Sequence, residues 1–401
     1  MTAVAHKTTQ ADELSATSQT EDLEVSIVMP CLNESQTVGN CVATAKQALR
    51  SSDIRGEVIV ADNGSTDGSQ ELAREKGARV VDVERRGYGA ALAGGIAAAN
   101  GKYVVMGDCD MSYDFGHAPR IVEKLREGYD LVVGNRFEGG IAPDAMPFLH
   151  RYLGNPVLTW IGQLFFGASV GDFYCGLRGF DREKILELDL RSTGMEFALE
   201  MIAKSAITGL RTGEVPTTLS PDGRDREPHL QTWQDGWRSL RFLLLFSPKW
   251  LFLIPGGVTM VLGLLLAIGG FAKVQVAGAT LSVNTMLFGS LAIMLGGQAI
   301  FFAILAKTFA VSSNLHPPSA NVDWFRRKFT LERGVRLGGI IVVLGIAAMS
   351  AAIMEWAMVG FGDLTPRVTR VWVVPGTTLV AVGVQTILSS FLVSALGVER
   401  K

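Results

Sequence analysis

The sequence lacks the patterns that mark metal fingers, disulfide frameworks and two common nucleotide-binding folds. Its four cysteines, Cys31, Cys41, Cys109 and Cys175, have no CxxC spacing, which indicates ordinary thiols in a reducing compartment. No GxGxxG follows the first predicted strand and no GxxxxGKS or GxxxxGKT occurs, which counts against a dinucleotide-binding dehydrogenase and a P-loop NTPase. The formal net charge is only −2, so nothing in the charge balance argues for a nucleic-acid partner.

The first 24 residues lack a basic start followed by an apolar run, so they do not predict a signal peptide. They are polar, and five of them are acidic: Asp12, Glu13, Glu21, Asp22 and Glu24. Segments of this composition bury too little apolar surface to fold. Residues 1–24 are therefore predicted to form a disordered leader.

Charged residues are absent from four long stretches in the second half of the chain. These stretches are Trp250–Ala272, Val274–Ala306, Leu337–Met354 and Val371–Val398. Because a spanning helix needs roughly 20 apolar residues, we predict membrane spans at about 250–272, 281–306, 337–358 and 372–396. The alternative is a set of buried helices in a large soluble core, but four in succession are hard to bury without lipid. Residues 250–401 are predicted to be an all-α transmembrane domain of four helices.

Lys and Arg are unevenly distributed between the two sides of these spans, and loops rich in them stay in the cytoplasm. One side carries nine: Arg238, Arg241, Lys249, Lys307, Arg326, Arg327, Lys328, Arg333 and Arg336. The other side carries three: Lys273, Arg367 and Arg370. The sequence therefore predicts a multi-pass plasma-membrane protein whose N-terminal domain and both termini are cytoplasmic.

Short β-branched runs alternate with helical patterns in the first half of the chain. The predicted strands are Val25–Met29, Glu57–Ala61, Arg79–Val83, Tyr103–Gly107 and Asp130–Val133. Helices are predicted near residues 35–50, 67–76, 88–99 and 117–127. This alternation is typical of a mostly parallel α/β sheet that is covered on both faces.

Polar residues follow several predicted strands at the point where each strand ends. Asn33 and Glu34 follow the first strand, and Asp62 opens the polar run after the second. The fourth strand is followed by Asp108-Cys109-Asp110 and the fifth by Arg136. Ligands of open α/β sheets bind in the crevice beyond the carboxyl ends of the strands. The sequence thus predicts a ligand site at this edge.

Asp108 and Asp110 are the strongest candidates for metal ligands. Two carboxylates one residue apart at a strand end can hold a hard divalent cation that also contacts phosphate oxygens. Such a cation neutralises the charge that develops as a diphosphate leaves. A surface DxD without function is the alternative, but the position after an apolar strand favours a site for Mg²⁺ or Mn²⁺.

Four motifs in order resemble the family-2 glycosyltransferases of GT-A fold: Val25–Pro30, Asn33-Glu34, Val60–Gly68 and Asp108-Cys109-Asp110. The resemblance covers roughly residues 25–235, and the catalytic domain is expected over 25–230. With the membrane tail and Ser247–Phe252, the chain is similar to the polyprenyl-phosphate glycosyltransferases, such as the dolichol-phosphate mannose and glucose synthases. The resemblance implies a Rossmann-like GT-A domain that transfers one sugar, with inversion, from a UDP-hexose or GDP-mannose donor to a polyprenyl or dolichyl phosphate.

The resemblance also implies roles for single residues of the donor site. The residues expected around the nucleotide are Pro30, Asn33, Glu34, Asp62, Asn63, Gly87 and Gly89. The two glycines would let the backbone approach the donor, or they form only a turn before a helix. Asp110 would be the principal metal ligand, with Asp108 beside it. Many relatives have a Gln or Asp two residues after this motif, whereas this chain has Ser112 there and Asp114 beyond it. Ser112 is therefore the candidate for the third ligand, with Asp114 as the less favoured alternative.

Basic residues are the candidates for phosphate contacts. Arg136 would meet a phosphate as a catalytic group, unless it forms a structural salt bridge. The segment 139–155 resembles the flexible acceptor loop of these enzymes. The candidates for acceptor or phosphate binding are His150, Arg151, Arg178, Arg224, Arg226 and His229. Arg178 could instead be structural, and the last three could bind anionic lipid headgroups.

Residues 231–249 alternate aromatic and basic side chains, including Trp233, Trp237, Arg238 and Arg241. This pattern predicts an amphipathic helix in the membrane interface, which would place the active site near the bilayer surface. A generic connector before the membrane would have the same pattern. The spans could also promote homo-oligomers.

Two other functions fit parts of the sequence. A processive polysaccharide synthase shares the fold and the spans, but the stretch Gln231–Trp237 lacks the Q-x-x-R-W pattern of those enzymes. A transporter or flippase with a nucleotide-sugar-binding module would need polar groups along its pathway. Glu355 is the only acidic residue in the predicted spans and lies near the end of one, so helices that anchor the enzyme are the simpler interpretation.

Overall fold

The computed structural model describes residues 23–224, 232–313, 315–317, 324, 327–363 and 365–396. Most of the predicted leader lies outside these residues. Its last residue, Glu24, forms an ion pair of 2.7 Å with Arg126. The chain forms two compact units, with the division between Leu243 and Leu244.

The first unit contains a seven-stranded sheet. Its strands are β1 (Val25–Cys31), β2 (Gly56–Asp62), β3 (Arg79–Asp82), β4 (Tyr103–Met106), β5 (Leu131–Asn135), β6 (Arg178–Asp181) and β7 (Thr212–Pro216). The order across the sheet is β3-β2-β1-β4-β6-β5-β7. Only β6 runs antiparallel to its neighbours, and the other pairs are parallel. The carboxyl ends of β1, β2 and β4 therefore lie at one edge.

The central strands consist of apolar residues because the sheet is covered on both faces. All four residues of β4 are buried, as are six of the seven in β1. The structure confirms the five predicted strands. It adds β6 and β7, which the sequence did not predict: β6 is only Arg-Gly-Phe-Asp, and β7 contains a glycine and ends in a proline.

The described residues up to Phe246 form nine α-helices, the last of which runs across the division between the two units. They are α1 (Val38–Ser51), α2 (Ser69–Glu75), α3 (Tyr88–Ala98), α4 (Ala118–Arg126), α5 (Arg136–Gly139), α6 (Asn155–Phe166), α7 (Arg182–Glu187), α8 (Phe197–Thr208) and α9 (Thr232–Phe246). A 3₁₀ turn, Phe115–His117, precedes α4, and a π-helical turn, His150–Gly154, precedes α6. The first four helices confirm those predicted from the sequence.

Among the described residues of the second unit, the regular structure is helical apart from the short strands β8 (Gln275–Val276) and β9 (Ala279–Thr280). Its helices are α10 (Ile254–Ala272), α11 (Val283–Ser312), α12 (Leu331–Met358), α13 (Pro366–Val368) and α14 (Val374–Leu396). π-helical turns at Lys249–Leu253 and Thr369–Val373 precede α10 and α14. Among the described residues, four helical stretches are long and apolar enough to cross a membrane: Lys249–Ala272, Val283–Ser312, Leu331–Met358 and Pro366–Leu396. The predicted fold class, a mostly parallel α/β domain followed by four apolar helices, is confirmed.

Glycines allow the apolar helices to pack backbone against backbone. A Cβ added at Gly263 of α10 would lie 2.8 Å from the carbonyl oxygen of Gly289 in α11. A Cβ added at Gly338 of α12 would lie 2.7 Å from the carbonyl oxygen of Gly383 in α14. Helices in lipid associate by close packing of small residues, because apolar side chains gain nothing by leaving lipid.

Candidate active site

The loops after β1, β2 and β4 begin side by side at one edge of the sheet. The backbone N–H of Asn63, just past β2, donates to the carbonyl of Cys31 at the end of β1 over 2.9 Å. The thiol of Cys109, just past β4, donates to the carbonyl of Pro30 over 2.9 Å. Pro30 was predicted to lie near the nucleotide, and its carbonyl connects the loop after β4 to the end of β1.

Asp62, at the end of β2, is buried and has one carboxylate oxygen in use. Its Oδ2 accepts hydrogen bonds from the backbone of Gly64 (2.9 Å) and Ser65 (3.0 Å) and from the side chain of Gln70 (2.7 Å). Burial acts to raise the pKa of Asp62, but these hydrogen bonds outweigh it and lower the pKa. Its buried Oδ1 has no hydrogen-bond partner among the described residues. A buried acceptor without a partner in the chain is suited to a donor group of a ligand.

The two predicted asparagines hold the loops of the site in place. Asn33 has a positive φ of 58°, and its Oδ1 accepts from the backbone N–H of Thr66 over 2.9 Å. The side-chain amide of Asn63 donates to two carbonyls of the β3–α3 loop, each at 2.9 Å. Its Oδ1 accepts from the backbone N–H of Gly87 over 2.7 Å. These contacts connect the β1, β2 and β3 loops to one another.

Gly87 and Gly89 pack against another part of the chain, the segment 192–194. Gly87 has a φ of 128°, a conformation that favours glycine. A Cβ added to Gly89 would lie 2.5 Å from the carbonyl oxygen of Ser192. The backbone N–H of Gly89 donates to the carbonyl of Thr193 over 2.8 Å. The two glycines were predicted to let the backbone approach a donor. In this structure the segment 192–194 occupies that space.

Asp108 lies in a crowded, electrostatically unfavourable position. Burial, and next the carboxylate of Asp110, raise the pKa of Asp108 to about 6. The hydroxyl of Tyr88 interacts with the Asp108 carboxylate and acts in the opposite direction. A Cβ added at Gly176 would lie 2.9 Å from Oδ2 of Asp108, so this side chain needs the space that a glycine leaves.

Asp110 lies between Ser112 and Arg224. Its Oδ1 accepts from the backbone N–H of Ser112 (3.0 Å) and from its hydroxyl (2.5 Å). Its Oδ2 is 3.3 Å from Nη2 of Arg224, and the same nitrogen lies 2.7 Å from Oε1 of Glu34. The guanidinium of Arg224 thus joins two of the predicted site residues, Glu34 and Asp110.

The Asp108–Asp110 pair suits a divalent cation that takes its other ligands from a substrate. Two neighbouring carboxylates, one with a raised pKa, are stabilised by a cation between them. The described residues contain no group of three His, Cys, Asp or Glu side chains that could hold a metal. Mg²⁺ is commonly held by one or two carboxylates together with phosphate oxygens and water. Ser112 donates its hydroxyl proton to Asp110 here, so its predicted role as a third ligand would require that hydrogen bond to break.

Arg136 forms a buried ion pair, which was the structural alternative for this residue. Its Nε and Nη2 donate to the two carboxylate oxygens of Asp172 over 2.6 and 2.8 Å. Asp172 is fully buried and Arg136 is 6% exposed. Nη1 lies 3.5 Å from the hydroxyl of Tyr113. The guanidinium uses both sides of its fork to bind Asp172. It is therefore not available to a phosphate in this structure, contrary to the predicted phosphate contact.

Arg178, predicted as a phosphate contact, is fully buried. Its Nε donates to the carbonyl of Cys175 (2.7 Å) and its Nη2 to that of Phe173 (2.7 Å). Its Nη1 donates to the carbonyl of Ala198 over 2.6 Å. The structure corrects the prediction of a phosphate contact here. Arg178 holds the segment before β6 against α8, and all three of its guanidinium nitrogens donate to backbone carbonyls.

The remaining predicted acceptor residues divide into two pairs. His150 and Arg151 are half-buried in the π-helical turn before α6, and the guanidinium of Arg151 lies 5.5 Å from the ring centroid of Tyr152. Burial lowers the pKa of His150, which therefore favours its neutral form. Arg226 and His229 lie outside the described residues.

Three residues of the site were not predicted from the sequence: Tyr88, Gln70 and Asp172. Tyr88 lies between the two predicted glycines, and an aromatic residue inside a Gly-rich turn could have been noticed. Gln70 is on α2 and reaches back to Asp62 only because of the fold. Asp172 is the only acidic residue in its segment 168–180, and a buried Arg136 requires such a partner.

Two family models match the chain. Residues 26–188 match glycosyl transferase family 2. Residues 304–397 match the glycosyltransferase family 2 C-terminal transmembrane region. One match thus lies in each of the two units.

Several proteins of Haloferax volcanii are similar to this chain in sequence. The low-salt glycan biosynthesis hexosyltransferase Agl6 is 37% identical over 376 residues, which covers 93% of this chain and 89% of that protein. The glycosyltransferase AglJ is 32% identical over 70% of this chain and 92% of that protein. A dolichyl-phosphate hexose transferase is 34% identical over 48% of this chain and 81% of that protein. The first of these similarities extends through both units.

Solved structures resemble part of the chain. Glucosyl-3-phosphoglycerate synthase of Mycobacterium tuberculosis is 23% identical, with a TM-score of 0.43, over 58% of this chain and 82% of that protein. A complex of that enzyme with Mn²⁺, UDP and glucosyl-3-phosphoglycerate matches with 22% identity and a TM-score of 0.43, over 57% of this chain and 80% of that protein.

Proposed function

This chain belongs to glycosyltransferase family 2, and we propose that it transfers a single sugar from a nucleotide-sugar donor to a polyprenyl phosphate. The donor would be a UDP-hexose or GDP-mannose, and the acceptor a polyprenyl or dolichyl phosphate. The proposal includes a divalent cation, Mg²⁺ or Mn²⁺, at Asp108 and Asp110. The observation that carries the proposal is this carboxylate pair beside the guanidinium of Arg224, with 3.3 Å between Arg224 and Asp110. Carboxylates that can hold the cation and a guanidinium that can bind phosphate oxygens, side by side at the edge of the sheet, suit a metal-bound diphosphate.

The metal and Arg224 would act together on the leaving group. The cation would supply charge neutralisation at the diphosphate oxygens. Arg224, which is half-buried beside Asp110, can donate two parallel hydrogen bonds to a phosphate once it leaves Glu34. Ser112 and its hydrogen bonds orient the Asp110 carboxylate. These groups would stabilise the negative charge that grows on the diphosphate as its bond to C1 of the sugar breaks.

The acceptor needs no strong base in this scheme. A phosphate monoester has a second pKa near 6, so it is largely dianionic at neutral pH. One of its oxygens would form a bond to C1 of the sugar while the bond from C1 to the diphosphate oxygen breaks, which inverts the anomeric carbon. The nucleoside diphosphate leaves with the bonding electrons. The work of the protein is therefore positioning and charge stabilisation. The relative named as a dolichyl-phosphate hexose transferase supports this class of acceptor.

Asp62 is proposed to recognise the base of the nucleotide through its free oxygen. Replacing Asp62 with Asn keeps an oxygen for the turn at Gly64 but turns an amide toward the ligand. We expect the KM for the donor to rise roughly 10- to 100-fold, since a hydrogen bond to a charged group contributes about 1.5–3 kcal/mol. Steady-state kinetics at varied donor concentration measures this.

The matched control for Asp62 is Gln70→Leu. It removes the hydrogen bond to Oδ2 and leaves Oδ1 untouched, so the donor KM should change far less than for Asp62→Asn. Equal effects of the two substitutions would show that Asp62 only holds its loop.

Tyr88 is proposed to position Asp108 through the interaction of its hydroxyl with the carboxylate. Replacing Tyr88 with Phe should weaken metal binding about 10- to 100-fold, which is typical for the loss of a partner of a metal ligand. The Mg²⁺ concentration that gives half-maximal activity measures the change. Tyr129→Phe, at a ring that packs against Arg211, is the matched control and should leave this concentration unchanged. A Tyr88→Phe enzyme with the wild-type Mg²⁺ dependence would contradict the role.

The reaction is proposed to occur on the cytoplasmic side of the plasma membrane. The part of the protein that the structure describes has four helices long and apolar enough to cross a membrane. The excess of Lys and Arg at the start of the first span and between spans two and three supports cytoplasmic placement of the catalytic domain. The spans are also proposed to associate with those of other copies, which would give homo-oligomers.

A product assay tests the function as a whole. Membranes that contain the protein are incubated with polyprenyl phosphate, Mg²⁺ and each of several radiolabelled nucleotide sugars. We expect one donor to yield a lipid product that carries a single sugar. A long polymer would indicate a processive synthase instead, and label that crosses the membrane without forming product would indicate transport.

A further inference from the structure

Lys307 is the first charged residue after a long apolar run in α11. The stretch Met286–Ala306 contains no charge, and its only strongly polar residues are Ser290 and Gln298. At a rise of 1.5 Å per residue, about 20 helical residues cross the ~30 Å hydrocarbon core of a bilayer. Lys307 therefore lies where the hydrocarbon ends and the headgroups begin, which is the level of the lipid phosphates.

The chain folds back after α11 and brings a histidine to this lysine. The backbone N–H groups of Leu315 and His316 both donate to the carbonyl of Ala310, over 2.8 and 3.0 Å. The turn places Nδ1 of His316 2.8 Å from Nζ of Lys307. Because a lysine ammonium only donates, Nδ1 is the acceptor and the neutral ring carries its proton on Nε2.

This Lys307–His316 pair lies where the first two apolar helical stretches meet. The ring of His316 stacks on that of Phe246, with 6.0 Å between the centroids, and the residue is only 7% exposed. Phe246 ends α9, just before the first apolar stretch. The rings of Phe252 and Phe302, also 6.0 Å apart, join the same two stretches. Lys307 is half-buried at this junction, so its ammonium does not simply extend into water.

The ammonium of Lys307 has a neutral partner but no counter-charge. In the part of the chain that the structure describes, it contacts His316 and forms no ion pair with a carboxylate. A half-buried charge without a counter-charge is costly, so a bound anion would stabilise it. The segment 318–336 contains five Arg or Lys and only two acidic residues. The surrounding sequence therefore also favours an anion.

We propose that Lys307 and His316 bind the phosphate group of a lipid at this face of the membrane. Nζ keeps N–H groups beyond the one that it gives to His316, and the ring has a further N–H at Nε2. A site with donors and a positive charge suits phosphate oxygens and repels metal ions. Phosphate is the anion that a bilayer presents at this level, and the lipid chains would lie along the apolar helices.

The site recognises the group that phospholipids and polyprenyl phosphates have in common. It lies in the second unit, whereas the carboxylates of Asp108 and Asp110 lie in the first. The inference therefore rests neither on the sugar donor nor on catalysis.

Native mass spectrometry of the full-length protein in detergent tests the site, because it counts the lipids bound to each chain. The probes are phosphatidylglycerol and dolichyl phosphate, each beside its phosphate-free partner, diacylglycerol or dolichol. We expect Lys307→Met to weaken binding of at least one of the two phosphate lipids about 10-fold or more, since a hydrogen bond to a charged group is lost. The fold should survive, because the substitution removes a half-buried charge.

Lys307→Arg and Lys249→Met are the matched variants. The arginine keeps a positive donor at the site and should retain most of the binding. Lys249 is exposed at the start of the first apolar stretch, so Lys249→Met removes a charge beside the membrane without touching the site. It should leave the affinity for both phosphate lipids unchanged.

The outcome with each lipid identifies the ligand. A loss with one phosphate lipid alone would assign the site to that lipid, and a loss with both would assign it to lipid phosphates in general. Dolichyl phosphate also has the proposed acceptor site in the first unit, so Lys307→Met should bind one copy fewer of it rather than none.

Unchanged binding of both phosphate lipids by Lys307→Met would overturn the proposal. So would binding of dolichol and diacylglycerol as tight as that of the phosphate lipids, since the phosphate would then contribute nothing. No donor is added and no turnover is measured, so this proposal and the proposed function can fail separately.

Discussion

Replacing Asp110 with Asn is expected to lower the rate of sugar transfer roughly 100-fold or more. The substitution removes a charged ligand from the proposed cation, whose stabilisation of the leaving diphosphate is worth several kcal/mol. Folding should survive, because the change relieves repulsion with Asp108 and leaves Arg224 its contact with Glu34. Measurement of kcat/KM at saturating Mg²⁺, together with the thermal midpoint of the purified protein, checks both parts.

Asp114→Asn is the matched control for this substitution. Asp114 lies four residues further on and accepts a hydrogen bond from the backbone of Gly116, which an asparagine can also accept. We expect normal activity from Asp114→Asn. Near-normal turnover by the Asp110→Asn protein would refute the metal assignment.

Replacing Arg136 with Met is expected to give the largest loss of stability. Asp172 is fully buried and would lose both charged hydrogen bonds. Removing one partner of a buried ion pair costs about 3–5 kcal/mol, because the other charge is left uncompensated. For a domain of this size that loss corresponds to a decrease of roughly 10 °C in the thermal midpoint. Differential scanning fluorimetry of the ligand-free protein in detergent measures it.

The control for Arg136 is Arg126→Met, which breaks the exposed pair with Glu24. Exposed ion pairs contribute about 0–1 kcal/mol, so the midpoint should shift little. If Arg136→Met also left the midpoint unchanged and only raised the KM for substrate, the original interpretation of Arg136 as a phosphate ligand would be the better one.

The fold was predictable where its physical cause is local. Buried parallel strands consist of apolar residues, so β1, β2 and β4 could be recognised in the sequence. The strand β6 could not, because three of its four residues are Arg, Gly and Asp, and its pairing depends on residues far along the chain. The four apolar helices needed only length and composition. The resemblance to family 2 is confirmed by both matched regions.

The site was predictable in its position but only partly in its contacts. Asp62 ends the buried strand β2, and Asp108 and Asp110 follow the buried strand β4, so the sheet brings them to one edge. Whether an arginine faces a ligand or the interior depends on tertiary contacts, which no short motif contains. Arg178 shows this: its three hydrogen bonds go to the carbonyls of Phe173 and Cys175 just before it and of Ala198 in α8. Arg224 was predicted as a phosphate contact, but its ion pairs with Glu34 and Asp110 depend on two loops, each more than a hundred residues earlier in the chain.

Binding of the donor with and without metal tests the central claim most directly. The full-length protein is titrated by calorimetry with UDP-glucose, UDP-N-acetylglucosamine and GDP-mannose, first in Mg²⁺ and then in EDTA. The account predicts that at least one of these donors binds in Mg²⁺ and that its affinity falls about 10-fold or more in EDTA. Equal affinity in Mg²⁺ and EDTA for every donor that binds would contradict it.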